Sequence, residues 1–383
     1  MRVEDSRLAR QRWLFVFGED NALLSHRLDL TKACIRNKIN LHVATAYSKH
    51  RKTIQALGIT AVDLPIIRAG ISLIQEFNTL IQLIKIIRRG NYRLVHSVGL
   101  KSSLLTALAC KFLPRQKFVI ALTGLGYIFI GHSIKIRIIR QIVIRLLKFA
   151  LQNQCGYVMV QNRDDEAFAY QQLEVSLARI RLVGSAGVDL DDFSLNEPDQ
   201  DEPVALYMGR YLADKGLYEL ARTGKILRER GCALRLAVAG RFDPINPTSI
   251  DPDAMKSWCK RGWLEDWGMF AKPFDALCHA SIAVLPSYRE GSPKFLAEAA
   301  ACALPLVAFD VPGSRELVRE GKTGLLVKPF DSVDLAQALE QLYLDAKLRK
   351  RLGKNARRMA ERELQTKDLN GQLLEWFDEI LAM

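Results

Sequence analysis

Residues 286–303 read PSYREGSPKFLAEAAACA and place two carboxylates, Glu290 and Glu298, eight positions apart. A carboxylate accepts two or more hydroxyl hydrogen bonds at once, so the pair suits a polyhydroxylated ligand. Paired-carboxylate hydrolysis is the competing chemistry. If both residues were helical, they would lie about 12 Å apart along the axis, whereas hydrolase pairs lie roughly 5–9.5 Å apart. The preceding IAVLPS predicts an apolar strand ending at Pro286-Ser287, followed by a loop through YREGS. Ser292 is a predicted N-cap and Pro293 a predicted first helical residue. Glu290 then lies in the loop and Glu298 in the second helical turn. Free backbone N–H groups over Gly291, Ser292, Lys294 and Phe295, on either side of Pro293, which has none, point out of a helix start, where anions bind well. Lys294 either adds to that charge or is simply exposed. Alanines 297, 299, 300, 301 and 303 let the helix approach its sheet closely.

A second stretch complements the first. MGRYLADKG, residues 208–216, places Arg210 and Lys215 around a strand-to-helix turn. Two cations there can clamp a diphosphate without a metal ion. The six histidines show no zinc spacing, so no metal and no cofactor are expected. DLD at 189–191 reads as surface acid beside a linker rather than a metal motif. GLGYIF begins like a dinucleotide fingerprint, but Phe129 takes the third glycine position and the next acid is Asp164.

Positioning such loops needs parallel strands. RWLFVF, INLHVAT, YRLVHS, KFVIALT and GYVMVQ in the first half read as buried strands between helical stretches. VALYMG, LRLAVAG, SIAVLPS, PLVAFD and TGLLVKP repeat the alternation in the second half. Strands alternating with helices predict an α/β protein with parallel sheets covered on both faces. NEPDQDEP, residues 196–203, reads as an acidic interdomain linker. The expected organisation is a Rossmann-like domain over 1–195, a second over 204–364, and a terminal helix over 365–383 packing back on the first, the two sheets facing across a cleft. A chain of 383 residues fits two domains. Seven scattered cysteines without a CxxC pair suggest reduced thiols in a cytosol. The N-terminus has no apolar run long enough for a signal peptide.

Charge is segregated. Residues 1–195 carry a net +14 and residues 196–383 a net −1. Between Glu76 and Asp164 there is no acid, against fourteen Lys or Arg. The first half therefore faces something anionic, nucleic acid or a membrane surface. Nucleic acid would call for aromatics interleaved with the cations for stacking, and the aromatics in that interval are sparse and mostly inside apolar strands. The uncharged stretch 118–134 contains glycines that suit a strand and loop better than a spanning helix. SIKIRIIRQIVIRLLKFA, residues 133–150, reads either as a helix lying on an anionic membrane surface or as a half-buried domain helix with solvated cations.

EGSPKFLAE resembles the E-x7-E element of glycosyltransferase family 4, retaining enzymes with the GT-B fold. GRYLADKG resembles that family's diphosphate-binding turn, and AFDVPGSRELVREGKTGLLV (308–327) the stretch after the E-x7-E helix. SHRLDL (25–30), LVHSVGLKSSLL (94–105), ALTGLGYIF (121–129) and VGSAGVDLDDF (183–193) resemble a bacterial subgroup that builds O-antigen and capsule repeat units on an undecaprenyl-diphosphate carrier. The likeness covers nearly the whole chain.

The resemblance implies a retaining transferase moving a sugar from a nucleotide sugar, with uridine as the expected base, to a lipid-diphosphate-linked saccharide at the inner face of the cytoplasmic membrane. It implies that Glu290 holds donor hydroxyls, Glu298 the ribose, and Arg210 and Lys215 the departing diphosphate. His96 would stand near the donor sugar, its alternative being a buried structural histidine. His26, Arg27, Thr123, Gly124 and Gly126 would face the acceptor. Ala303 replaces a usual glycine, where a slight backbone adjustment is expected. GSAGVD carries one extra alanine, which bears on Ser185 and Gly187. A related enzyme with a soluble acceptor, a sugar-nucleotide epimerase and a non-catalytic nucleic-acid-binding protein are the rival readings.

Overall fold

Buried apolar runs form two wholly parallel sheets in the computed structural model, which describes residues 8–67, 72–131, 133–184, 187–194 and 202–383. The first sheet has strands β1 (Arg12–Phe17), β2 (Asn40–Thr45), β3 (Thr60–Asp63), β4 (Leu94–Val98), β5 (Phe118–Leu122), β6 (Gly156–Val160) and β7 (Ile180–Leu182) in the order β3-β2-β1-β4-β5-β6-β7. The second has β8 (Val204–Arg210), β9 (Arg235–Arg241), β10 (Glu265–Gly268), β11 (Ile282–Leu285), β12 (Leu306–Phe309) and β13 (Gly324–Val327) in the order β10-β9-β8-β11-β12-β13. Each order reverses once, between β1 and β4 and between β8 and β11. Such reversal points open a crevice at the carboxyl ends of the strands, where ligands bind.

Ten of the thirteen strands fall on the ten predicted runs. The other three, β3, β7 and β10, are sheet edges of three or four residues with mostly half-exposed side chains. Their sequences TAVD, IRL and EDWG lack the continuous apolar character of central parallel strands.

The chain divides into one unit of Met1–Ala186 with Lys367–Met383 and another of Gly187–Thr366. The first unit therefore stops short of residue 195. Val188 and Phe193 lie in the second unit's core, and Arg357 Nη1 donates to the Phe193 carbonyl at 3.0 Å. The acidic composition of 196–203 drew the predicted boundary too late; residues 196–201 of that stretch, like Ser185 and Ala186, lie outside the described residues. In the second unit Val188 N–H donates to Leu364 O and Thr366 N–H to Val188 O, tying its two ends together.

The first unit keeps its core on both sheet faces. The helix Thr366–Ala382 closes one of them, with Phe377 edge-on to Trp13 at 5.6 Å. The other carries the helices Leu73–Gly90 and Ile134–Leu151, both packed against Leu100–Lys111. Ile134–Leu151 turns Val143, Leu147, Ala150 and Leu151 inward and leaves Ile134, Ile138, Ile142 and Phe149 exposed among its cations. Among the described residues no helix is long and apolar enough to cross a membrane.

Candidate active site

The loops that follow β8 and β11 meet at the second sheet's reversal point. Gly216 makes the approach possible. Its φ is +75°, and a Cβ there would stand 1.9 Å from the Pro286 carbonyl oxygen. Tyr288 N–H donates to Asp214 O at 3.0 Å, and the Tyr288 hydroxyl donates to Glu219 Oε2 at 2.8 Å. A third loop joins them: Glu290 N–H donates to Pro312 O at 3.1 Å, and a Cβ on Gly313 (φ +82°) would meet the Glu290 carbonyl at 2.5 Å.

These backbone contacts bring the expected side chains together. Lys215 Nζ lies 2.5 Å from Glu290 Oε1, both mostly buried. Arg210 Nη1 lies 2.8 Å from Asp243 Oδ2. The two cations are thus held by carboxylates, and Asp243, on the loop after β9, was not singled out from the sequence. Nothing local marks it, because its partner is 33 residues away. Tyr207, buried beneath the turn, fixes it by donating its hydroxyl to Arg210 O at 2.7 Å.

The helix after Glu290 begins one residue later than predicted, at Lys294, and runs to Ala301. Pro293 keeps an extended ψ of 106° and is the N-cap itself. Ser292 therefore does not cap; its Oγ, with those of Ser287 and Ser314, is buried and makes no hydrogen bond. Phe295, Leu296 and the alanines are buried. Glu298 is 4% exposed, with Lys294 Nζ 3.6 Å from its Oε1. Burial pushes its carboxyl up to about 7, the Lys294 charge opposing the shift. At the other end Leu304 N–H donates to Ala299 O and Ala303 N–H to Ala300 O, both at 3.0 Å. This pairing closes a helix through a left-handed residue, and Ala303 takes that place with φ +59°.

In the first unit His96 departs from expectation. It lies in the middle of β4, fully buried, its ring 5.0 Å from that of Phe15 and 5.4 Å from that of Phe377. Nδ1 bonds Val119 O at 3.1 Å while Nε2 has no partner. Burial lowers its pKa to about 3, aided by Arg27. It is a neutral core side chain under the terminal helix, and the strand runs two residues past it. Arg27 is buried too, donating to Met159 Sδ at 3.8 Å, and burial lowers its pKa to about 10. Arg27 therefore lies in the unit's interior rather than on an open acceptor surface. His26 ends the helix Asp20–His26; its side chain lies outside the described residues. Thr123, Gly124 and Gly126 follow the carboxyl end of β5, both glycines with positive φ. Among the described residues no three His, Cys, Asp or Glu side chains gather as a metal-ligand set.

Two Rossmann-like units, with a cation-lined turn and an E-x7-E helix at the second unit's switch point, define a glycosyltransferase of the GT-B class. Residues 190–359 match the family model described as glycosyl transferases group 1, and residues 14–162 the one described as glycosyl transferase 4-like. The chain belongs to this glycosyltransferase family. It is 25% identical over 343 residues to the N,N'-diacetylbacillosaminyl-diphospho-undecaprenol alpha-1,3-N-acetylgalactosaminyltransferase of Campylobacter jejuni, covering 86% of this chain and 89% of that one. It is 24% identical over 316 residues to the UDP-Gal:alpha-D-GlcNAc-diphosphoundecaprenol alpha-1,3-galactosyltransferase of Escherichia coli, covering 78% of each. Similar folds occur in sucrose-phosphate synthase from Thermosynechococcus elongatus, with TM-score 0.79, 20% identity and coverage of 97% and 100%. Anabaena Alr3699/HepE, solved with UDP, gives TM-score 0.76 at 15% identity, covering 96% and 100%.

Proposed function

We propose that this enzyme transfers a sugar, with retention of configuration, from a UDP-sugar to a saccharide on an undecaprenyl-diphosphate carrier. The observation that carries this reading is the meeting of Lys215, Glu290 and the start of the helix Lys294–Ala301 at the β8/β11 switch point. The relatives from Campylobacter jejuni and Escherichia coli, whose names specify diphospho-undecaprenol acceptors, support the acceptor class.

In this reading Arg210 and Lys215 take the charge that builds on the departing diphosphate. Cations already in place lower the barrier because they need no reorganisation. They also serve where other enzymes use a divalent ion, so no metal is required. Glu290 holds donor hydroxyls, Glu298 the ribose, and N–H groups at the helix start the phosphates. The bond from the anomeric carbon to the diphosphate oxygen breaks as the acceptor oxygen bonds the same face. The departing oxygen takes the acceptor's proton, and no protein nucleophile takes part.

The enzyme works as a peripheral protein on the cytoplasmic side of the membrane. Support comes from the exposed Ile134, Ile138 and Ile142 beside Lys135, Arg137 and Arg145. Each cation near an anionic lipid surface contributes about 1 kcal/mol.

The test is a panel of UDP- and GDP-sugars with a diphospholipid-linked saccharide, the product's anomeric configuration being read by NMR. A retained α-linkage from a UDP-sugar, in buffer containing a chelator, is expected. A folded protein that binds neither UDP nor GDP overturns the donor site, and an inverted product overturns the mechanism.

A further inference from the structure

The amino-terminal ends of the first sheet's strands carry a second basic site, about 17 Å from their carboxyl ends at roughly 3.3 Å per residue over five residues. A cavity of about 640 Å³ opens there between the end of the helix Leu73–Gly90, the lead-in to β4, the lead-in to β5 and, at Leu381 and Met383, the end of the terminal helix. Arg88, Arg93, Arg115 and Lys117 line it, contributed by the first three of these segments. No Asp or Glu side chain is among its lining residues. None of the four cations makes an ion pair among the described residues, whereas Arg51, Lys101, Lys148 and Arg181 of the same unit each find a carboxylate.

The walls are fixed. Gln116 Nε2 donates to both Tyr92 O and Lys117 O at 3.0 Å, joining the two lead-ins. Arg12 Nη1 donates to Gly90 O at 2.9 Å. Gly90 must be glycine, because a Cβ there would lie 2.0 Å from the Tyr92 ring. That ring, buried and hydrogen-bonded to His42 Nδ1 at 3.1 Å, forms part of the lining. Arg88 is offset by the carboxyl end of its own helix, and the carboxyl end of the helix Thr366–Ala382, which brings Leu381 and Met383 to the lining, opposes part of the remaining charge. Like charges converging on a concavity focus a positive field and repel one another until an anion fills it. The volume is that of a small-molecule site, and arginines in such numbers suit phosphate oxygens.

We infer that this cavity binds a phosphate-bearing ligand, separate from the nucleotide-sugar site. Its source is either a soluble phosphate compound or the headgroup of an anionic lipid. The test takes inorganic pyrophosphate by calorimetry and phosphatidylglycerol vesicles by flotation. Each is applied to the wild-type chain, Arg93→Gln/Arg115→Gln, Arg210→Gln/Lys215→Gln, and the charge-matched control Lys350→Gln/Lys354→Gln. Both substituted arginines are exposed, so the cavity variant folds and melts no lower than wild type at low salt. Lys117→Gln samples a further cation and shifts binding in the same direction. Pyrophosphate also fits the proposed diphosphate site, so two sites are fitted: Arg93→Gln/Arg115→Gln should lose at least tenfold in one probe at the cavity, a loss absent from the charge-matched control, while Arg210→Gln/Lys215→Gln loses only the other pyrophosphate site. Loss of pyrophosphate identifies a soluble ligand; loss confined to vesicles identifies a headgroup. Unchanged binding of both probes, or an equal loss in the charge-matched control, overturns the inference.

Discussion

Lys215 Nζ and Glu290 Oε1 stand 2.5 Å apart, so the cation proposed for a diphosphate and the carboxylate proposed for sugar hydroxyls hold each other. On the proposed reading, donor binding would exchange this pair for contacts with the ligand. Glu290→Gln releases the lysine and should leave UDP affinity equal or tighter while turnover falls at least a hundredfold. Lys215→Ala should weaken UDP binding at least tenfold. Calorimetry on both variants checks the pair; weaker UDP binding by Glu290→Gln would contradict it.

Glu298 gives the second expectation. Burial raises its carboxyl from 4.5 to about 7. A carboxyl raised on folding favours the native state fully below its unfolded pKa, and that advantage is lost as pH climbs through the folded value. Between pH 4.5 and 7.5 the wild type should lose about 3 kcal/mol relative to Glu298→Gln. Melting curves of the two proteins should lie closest near pH 4.5, separate progressively up to about pH 7, and run parallel above it.

Gly216→Ala should dismantle the site without touching a charge. The added methyl meets the Pro286 carbonyl, and the +75° φ is strained for alanine. A cost of about 2 kcal/mol or more is expected, together with loss of UDP binding. Retained affinity would mean that the β8 and β11 loops need not touch.

His96→Ala should lower the melting temperature through a cavity between Phe15 and Phe377, costing about 3 kcal/mol. The folded fraction should keep its kcat and its pH profile, since the ring stays neutral well below pH 6. A selective fall in kcat at unchanged stability would restore the histidine to the mechanism.

Ala303→Gly should stabilise the second unit by about 1 kcal/mol, because alanine is strained at φ +59°. Urea unfolding of the two proteins measures it. Gly353 sits against the Ala303 carbonyl, where a Cβ would come within 2.0 Å, so the helix end must hold its place rather than relax.

The central strands and the loops after β8 and β11 were legible because each depends on a local pattern: buried β-branched runs, a glycine at a turn, a charged pair beside it. Edge strands β3, β7 and β10 were not, because half-exposed residues carry no such pattern. Asp243, which holds Arg210, and Phe377, which covers His96, come from distant parts of the chain. The motif LVHS could not reveal whether its histidine faces a crevice or a core. The start of the E-x7-E helix was misplaced by one residue because a proline's φ is fixed while its ψ is not.

The terminal helix also sets the order of biogenesis. Phe377, Trp376 and Ile380 complete a core whose other wall is β1 and β4, yet the entire second unit is translated between them. On the ribosome the Gly187–Thr366 unit has all its strands before the first unit has its last wall. Until residues 373–380 emerge, Trp13, Phe15 and His96 lack their cover. The nascent first unit is thus the species that a chaperone would guard, and the last one able to become active.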